Sequence, residues 1–262
     1  MFFDLGTAQL GLLLLLIIGG ASAAGVAIGR RLRAHQHEGH ESVGVVQGTL
    51  LGLVGLLLAF GLTMAVNRYE GRRALVVQEA NSIETTYLRA ELLAEPSRSR
   101  SLELLKRYAD AAIVFADVVP ATDRFDEVAA QMDGLQRQLW GEAGDAVRDG
   151  PQATAPRLYL ESLNDMIDTH TARTASLRNR VPSTVMLLQL IGSAVALGVL
   201  SLYLALLGRG LTTALVSAAF VFLILYISFD LDRPHRGFIT VPYSALEHAR
   251  ASMELPPAAE GP

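Results

Sequence analysis

The sequence predicts an all-α protein with four transmembrane helices and a helical aqueous domain inserted between the second and third spans. Hydrophobic residues make up 51% of the 262 residues, and the mean hydropathy is +0.33, which is too apolar for an ordinary soluble domain. Four apolar runs are long enough to cross a bilayer. The polar region between the second and third runs shows helical periodicity and no strand alternation.

The first predicted span covers residues 10–28, and three arginines follow it within residues 30–33. The small residues at 21–23 are typical of a signal-peptide cleavage site. A signal peptide, however, carries its positive charges before the apolar run, and residues 1–9 contain no basic side chain. We therefore expect this run to be a membrane helix.

The second predicted span covers residues 43–66 and contains no ionisable side chain. At a rise of about 1.5 Å per residue it is long enough to cross a hydrocarbon core of about 30 Å. The first transmembrane pair therefore occupies residues 10–66. The helical pattern continues into charged sequence, and no proline interrupts it before Pro96. The sequence thus predicts one long helix with a membrane half and an aqueous half.

The helical aqueous domain is predicted for residues 67–180, and its first helix is continuous with the second span. Apolar residues at helical spacing indicate further helices at residues 99–118 and 121–142. Residues 141–150 are rich in glycine and charge and are interpreted as a polar turn. Pro156 then begins a last helix, which ends near Arg180.

The second transmembrane pair is predicted for residues 181–229, with spans at residues 185–207 and 211–229. The C-terminal segment is residues 230–262. A short helix is predicted at residues 240–253, and the last residues are expected to be disordered. Four spans place both termini on the side of the aqueous domain. The count of arginines near the membrane favours the cytoplasm for that side.

The second span has two faces of interest. One face is a stripe of small residues, which lets another helix approach closely in lipid, although small residues also leave room for ions in a pore. Another face is a candidate pore lining, because hydrophobic constrictions gate by dewetting. The helix-packing candidates are Gly44, Gly48, Gly52 and Gly55, and the pore-lining candidates are Leu50, Val54, Leu57 and Gly61.

Three arginines follow the second span directly and are candidates for attracting ions: Arg68, Arg72 and Arg73. If several copies surround an axis, their guanidinium groups would form a positive ring that concentrates anions. Two alternatives stay open. The arginines would otherwise anchor the helix at the lipid headgroups, or glutamates on the same helix would line a path for cations.

Composition and motifs exclude several classes of function. The chain has no cysteine, which excludes disulfides, thiolate metal sites and cysteine nucleophiles. It lacks a glycine-rich phosphate loop, a zinc-protease motif and a serine elbow, so we expect no enzyme and no cofactor. The net charge of -4 and the absence of a basic tail argue against nucleic acid as a partner.

Two groups of polar residues could suggest a metal site or acid–base catalysis, but we expect both groups to be solvent-exposed without such a function. The histidines at residues 35–40 are expected to lie in a solvated hairpin loop, and no second group of ligands completes a metal site. Glu79, Glu84 and Glu91 are expected on a solvated helix face with ion pairs at helical spacing.

Several stretches resemble the bestrophin-like family of bacterial membrane proteins, a group defined by a domain of unknown function. The stretches are residues 56–60, 68–73, 79–83 and 87–93 on the long helix, and residues 230–237 after the fourth span. One departure is His235, which stands where the family usually has an aromatic residue.

The resemblance to bestrophins implies a pentameric ion channel in the bacterial inner membrane, with the lipid bilayer and an inorganic ion as partners. In bestrophins the second span lines the pore, and helices continue into a cytoplasmic vestibule. Anion conduction is favoured over monovalent cations. The acidic calcium clasp of animal bestrophins is not recognisable, and Asp230 and Asp232 are interpreted as capping and turn residues. The alternative is a membrane-anchored helical scaffold or sensor without a conducting path.

Overall fold

The computed structural model describes residues 6–33, 40–150, 153–208, 211–233 and 237–256. Within these ranges the chain forms eight α-helices and no strand, which confirms the all-α prediction. The helices are α1 (Thr7–Arg33), α2 (His40–Ala90), α3 (Ser97–Asp117), α4 (Asp123–Asp149), α5 (Thr154–Arg178), α6 (Ser183–Leu206), α7 (Leu211–Leu231) and α8 (Ser244–Ser252).

The chain divides into two compact units. The membrane unit consists of Met1–Tyr69 and Arg180–Thr240, and the helical unit consists of Glu70–Asn179 and Val241–Pro262. Four helical stretches in the described residues are long and apolar enough to cross a membrane, as predicted. They contain α1, the first part of α2, α6 and α7. Helix α2 has no break between His40 and Ala90 and contributes residues to both units.

Helices α1 and α6 of the membrane unit pack at very short distance. Gly25 and Gly29 lie one turn apart on α1 and face the backbone of α6. A Cβ atom at Gly25 would overlap the carbonyl oxygen of Gly198, and one at Gly29 would lie 2.6 Å from the carbonyl oxygen of Leu202. Small residues at this spacing allow close helix approach in lipid, where dispersion contacts replace the hydrophobic effect between helices.

The helical unit has a single core of apolar side chains. Helix α4 packs against α3 and α5, and α8 packs on α3. Helix α4 begins at a capping residue, Thr122, whose Oγ accepts a hydrogen bond from the backbone N–H of Phe125 at 3.3 Å. The Phe125 ring then packs on Phe115 with 4.8 Å between ring centroids. The hydroxyl of Tyr87 on α2 donates to the carbonyl oxygen of Met253, which fixes the segment after α8.

The interpretation of residues 141–150 as a polar turn is wrong. Helix α4 continues to Asp149, because Ala143 and Ala146 extend its buried face by a further turn. Alanine is the strongest helix former, and these two residues keep the apolar spacing that begins at Leu139. The loop histidines His35 and His37 and the C-terminal residues 257–262 lie outside the described residues.

The close contact at Gly25 gives a test of the α1–α6 packing. Gly25→Ala should lower the free energy of unfolding by about 1–3 kcal/mol, because the backbone of Gly198 cannot move aside as a flexible side chain would. Gly20→Ala on the same helix is the control, since no atom lies within 4 Å of its Cβ position. That change should be neutral or stabilising, because alanine exceeds glycine in helix propensity by about 1 kcal/mol. Equal stability of the two variants in detergent would contradict this packing.

Candidate functional site

One side of the membrane part of α2 has no neighbour among the described residues of its own chain. We call this side the exposed face of α2; its residues are Gly48, Gly52, Leu53, Gly55, Leu56 and Phe60. No atom of the described part of the chain lies within 4 Å of the Cβ positions of the three glycines. Phe60 is 61% exposed, and Leu53 and Leu56 are exposed to a similar degree. The fourth predicted packing residue, Gly44, instead lies against the ring of Tyr203 on α6.

The opposite side of α2 packs against α6 within the membrane unit. Val54 is buried and contacts Gly192. The side-chain amide of Gln189 occupies the space beside Gly61, where any Cβ atom would overlap it, and its Nε2 donates to the carbonyl oxygen of Leu57 at 3.0 Å. A buried amide in an apolar environment must be hydrogen-bonded, so this contact fixes the rotation of α2 relative to α6.

The four pore-lining candidates therefore lie on or near the side that packs inside the chain. Val54 and Gly61 are buried, and Leu50 and Leu57 are half-buried. Residues of α6, Gly192 and Gln189, cover Val54 and Gly61 within the single chain. Hydropathy alone gave no signal for this rotation, because every side of the span is apolar.

The three arginines after the second span have different surroundings. Arg72 is only 3% exposed, and its Nη2 donates to the carbonyl oxygen of Asn179 at 3.0 Å. Its Nε lies 3.5 Å from the carbonyl oxygen of Ser176, so the guanidinium binds carbonyl groups that the end of α5 leaves without intrahelical partners. Arg73 is exposed and lies 3.6 Å from the carboxylate of Glu70, and Arg68 is half-buried.

A buried cluster of charged side chains joins α2 to α5 in the helical unit. Glu79 is fully buried, and its Oε1 lies 2.8 Å from Nδ1 of His170. Its second carboxylate oxygen accepts a hydrogen bond from Arg173, whose guanidinium lies over the Phe115 ring at 5.3 Å from the centroid. His170 and Arg173 are three residues apart and share one face of α5. The Tyr108 ring completes the surroundings, edge-on to the imidazole.

The pKa of the Glu79 carboxyl group is lowered. Burial opposes the charged form, but the hydrogen bond with His170 and the positive charge of Arg173 outweigh that effect. Glu79 is therefore a carboxylate near neutral pH, and its negative charge is neutralised inside the core. The arrangement stabilises the helical unit; its buried position is unsuited to proton exchange with a substrate.

The expectation of a solvated face at Glu79 is wrong. Its neighbours at helical spacing, Val76 and Ile83, are both buried, so Glu79 lies on the apolar side of α2. That spacing was a signal for burial, and so was the position of His170 and Arg173 among the buried residues Leu163 and Met166. The sequence does not show which distant residue pairs with which.

Asp230 and Asp232, after the fourth span, each bind a backbone N–H group. Asp232 accepts from Val181 at 3.0 Å, and Asp230 accepts from Ile239 at 3.0 Å. The carboxylate of Asp230 also lies 2.8 Å from the Cβ position of Gly237, so a larger residue there would displace it. Within the described ranges no group of three or more histidine, aspartate or glutamate side chains is arranged to hold a metal ion.

The buried pair of Glu79 and Arg173 should be strongly coupled. Either Glu79→Gln or Arg173→Met should lower the free energy of unfolding by about 3–5 kcal/mol, because the remaining charge is left unpaired in the core. The double variant should lose less than the sum of the two changes. Chemical denaturation in detergent measures this double-mutant cycle. The control cycle uses the exposed pair Glu70 and Arg73, for which we expect a coupling of at most about 1 kcal/mol. Equal coupling in both cycles would contradict the buried cluster.

The lowered pKa of Glu79 predicts a loss of stability in acid. A carboxyl group whose pKa is lower in the folded state stabilises the fold above its ordinary pKa of 4.5. That contribution disappears as the pH falls through the lowered value. The stability difference between wild type and Glu79→Gln should therefore be constant above about pH 5 and shrink below it. The measurement is the free energy of unfolding of both proteins as a function of pH, and a constant difference down to acid pH would contradict the prediction.

No curated protein matches the chain in sequence at a significant level. Several solved structures of a bacterial bestrophin homologue from Klebsiella pneumoniae are similar to this chain in fold. One, carrying a tyrosine-to-alanine substitution, has a TM-score of 0.69 and 13% identity and covers 92% of this chain and 97% of its own.

The second structure, phased with zinc, also has a TM-score of 0.69 and 13% identity, with 92% and 95% of the two chains covered. The third, with an aspartate-to-alanine substitution, has a TM-score of 0.68, 14% identity and coverage of 92% and 97%. At this level of identity the similarity shows the fold alone. The family model of the Bestrophin-like domain, however, matches residues 16–246, which is most of the chain. The protein therefore belongs to the Bestrophin-like family.

Proposed function

We propose that several copies of this protein surround an axis in the membrane and form an ion channel. The observation that carries the proposal is the exposed face of α2, where apolar side chains and glycines have no neighbour among the residues that the structure describes. Membership of the Bestrophin-like family and the fold of the bacterial homologue support a channel-like role.

The composition of the exposed face favours a second copy of the chain as its neighbour. Exposed leucine and phenylalanine side chains alone would suit lipid equally well. Gly48, Gly52 and Gly55 lie beside them, and a stripe of small residues lets an adjacent helix approach closely. In such an assembly the larger side chains of Leu56 and Phe60 would narrow a central path. A ring of apolar side chains is a constriction that gates by dewetting.

The proposed pore lining lies on a different side of α2 from the side predicted from the sequence. Val54 and Gly61 are covered by α6, so they are not retained as pore residues. Leu53, Leu56 and Phe60 take their place because they are the large exposed side chains on the same span. The second span remains the proposed pore helix.

Anions are the proposed favoured ions, and two arginines support this. Arg68 and Arg73 follow the span directly, and a ring of either would concentrate anions near the pore. Arg72 is not retained, since its guanidinium is buried against the end of α5. Glu70 partly neutralises Arg73, so the expected preference over monovalent cations is moderate.

The assembly and location follow the sequence prediction. We propose a homo-oligomer, a pentamer by resemblance, in the bacterial inner membrane. The excess of arginines near the membrane on the side of the aqueous domain favours the cytoplasm for that domain and for both termini.

The test is ion flux in liposomes that contain the purified protein. Wild type should conduct chloride more readily than sodium or potassium. Phe60→Ala should raise chloride flux, and a barrier lowered by about 1.4 kcal/mol would give a tenfold increase. The matched control is Phe220→Ala on α7, because that side chain is 63% exposed and Phe60 is 61% exposed. Flux should be unchanged by the Phe220 substitution.

Three outcomes would contradict the proposal in different ways. Absence of flux together with a monomer in solution would favour the alternative, a membrane-anchored scaffold or sensor. Equal effects of the Phe60 and Phe220 substitutions would remove the exposed face of α2 from the pore. Conduction of cations in preference to chloride would leave the channel intact and overturn the proposed role of Arg68 and Arg73.

A further inference from the structure

Two adjoining cavities lie at one end of the membrane unit. The first is a groove of about 420 Å³ between α1 and α7. The second, of about 360 Å³, lies between the ends of α1, α6 and α7. The two cavities share four lining residues, Val26, Arg30, Leu211 and Ala214. The apolar groove therefore adjoins the charged cavity at these four residues.

The groove between α1 and α7 exists because its walls consist mainly of small residues. Gly19, Ala23 and Ala27 line it from α1, and Ala214 and Ala218 line it from α7. Leu215 on α7 is exposed at its edge. Apart from Arg30, which it shares with the second cavity, the groove has one polar side chain in its described lining, Ser22. The rest of the wall is apolar and suits a hydrocarbon chain, because burying polar groups against such a wall is costly.

The second cavity carries the positive charge. Arg30 and Arg33, on the last turn of α1, line it, and none of its described lining residues is acidic. The side chain of Arg33 lies against the turn after α6 at Gly208, where φ is +66° and a Cβ atom would overlap the guanidinium. A glycine at this turn therefore gives Arg33 its place. Planar guanidinium groups bind phosphate through paired hydrogen bonds.

We propose that these cavities form a binding site for one acidic phospholipid. An acyl chain lies in the groove between α1 and α7, and the lipid phosphate lies between Arg30 and Arg33. A net negative lipid is preferred over a zwitterionic one, because the two arginines, with no carboxylate among the described lining residues, would repel a headgroup ammonium. The site does not depend on ion conduction.

The experiment compares lipids that share their acyl chains. The protein is purified in detergent and titrated with dioleoyl phosphatidylglycerol or dioleoyl phosphatidylcholine, with native mass spectrometry for bound lipid and melting temperature for stability. Wild type should bind phosphatidylglycerol more tightly than phosphatidylcholine, and its melting temperature should rise more with phosphatidylglycerol. Arg30→Gln with Arg33→Gln should weaken that binding at least about tenfold, since each charge-assisted contact is lost.

Two further variants separate the site from general charge effects. Arg31→Gln removes one positive charge from a residue that lines neither cavity, and it should leave the binding of phosphatidylglycerol unchanged. Ala23→Leu fills the groove while keeping every arginine, and it should weaken the binding of phosphatidylglycerol. Melting of each variant without added lipid gives its own baseline, so a variant of reduced stability is still informative.

Several results would overturn the proposal. Equal binding of the two lipids, or equal loss in Arg31→Gln and in the double variant, would mean nonspecific attraction to the membrane surface. The same stabilisation by inorganic phosphate alone would mean a simple anion site. Crosslinks between copies within the groove, with unchanged lipid binding in Ala23→Leu, would mean that a second copy covers it.

Discussion

The carboxylate of Glu79 carries its charge in a part of the helical unit that water does not reach. Such a charge destabilises the fold unless it is paired and hydrogen-bonded, and both conditions are met by two side chains from one face of α5. Val76 and Ile83 alone would tolerate several helix registers. The pairing of Glu79 with His170 and Arg173 allows only one register, because a shift of α2 by one turn would leave these three side chains buried without partners. We interpret the cluster as the element that sets the register between α2 and α5.

In the membrane unit, helix positions are set by other interactions than buried charge pairs. Apolar side chains do not distinguish a neighbouring helix from lipid, so small residues and hydrogen bonds must provide the difference. Gly25 and Gly29 bring α1 against α6, and the amide of Gln189 binds the backbone of α2 beside Gly61. With Gly61 against Gln189, the glycines at 48, 52 and 55 of α2 face outward. One continuous helix is therefore oriented by backbone contact in one unit and by charge pairing in the other.

Length and hydropathy were sufficient to predict the four spans, and the absence of proline predicted the continuation of α2. They were insufficient for rotation and pairing. Every side of the second span is apolar, so the face toward α6 depends on Gln189, a residue that is far away in the chain. Arg72 shows the same limit, because its partners at the end of α5 lie more than one hundred residues away. The spacing of Gly25 and Gly29 is visible in the sequence, and these two glycines make a closer helix contact than the predicted packing glycines of the second span.

The C-terminal segment has a consequence for biosynthesis. Helix α8 packs on α3, and the carbonyl oxygen of Met253 accepts the hydroxyl of Tyr87, so the helical unit includes residues from the far end of the chain. The membrane unit likewise takes residues from both sides of the helical unit. A ribosome that has released α5 has therefore supplied neither unit in full, and α3 keeps part of its apolar surface in water until the last two spans have entered the bilayer. That interval is the period in which a nascent chain would need protection from aggregation.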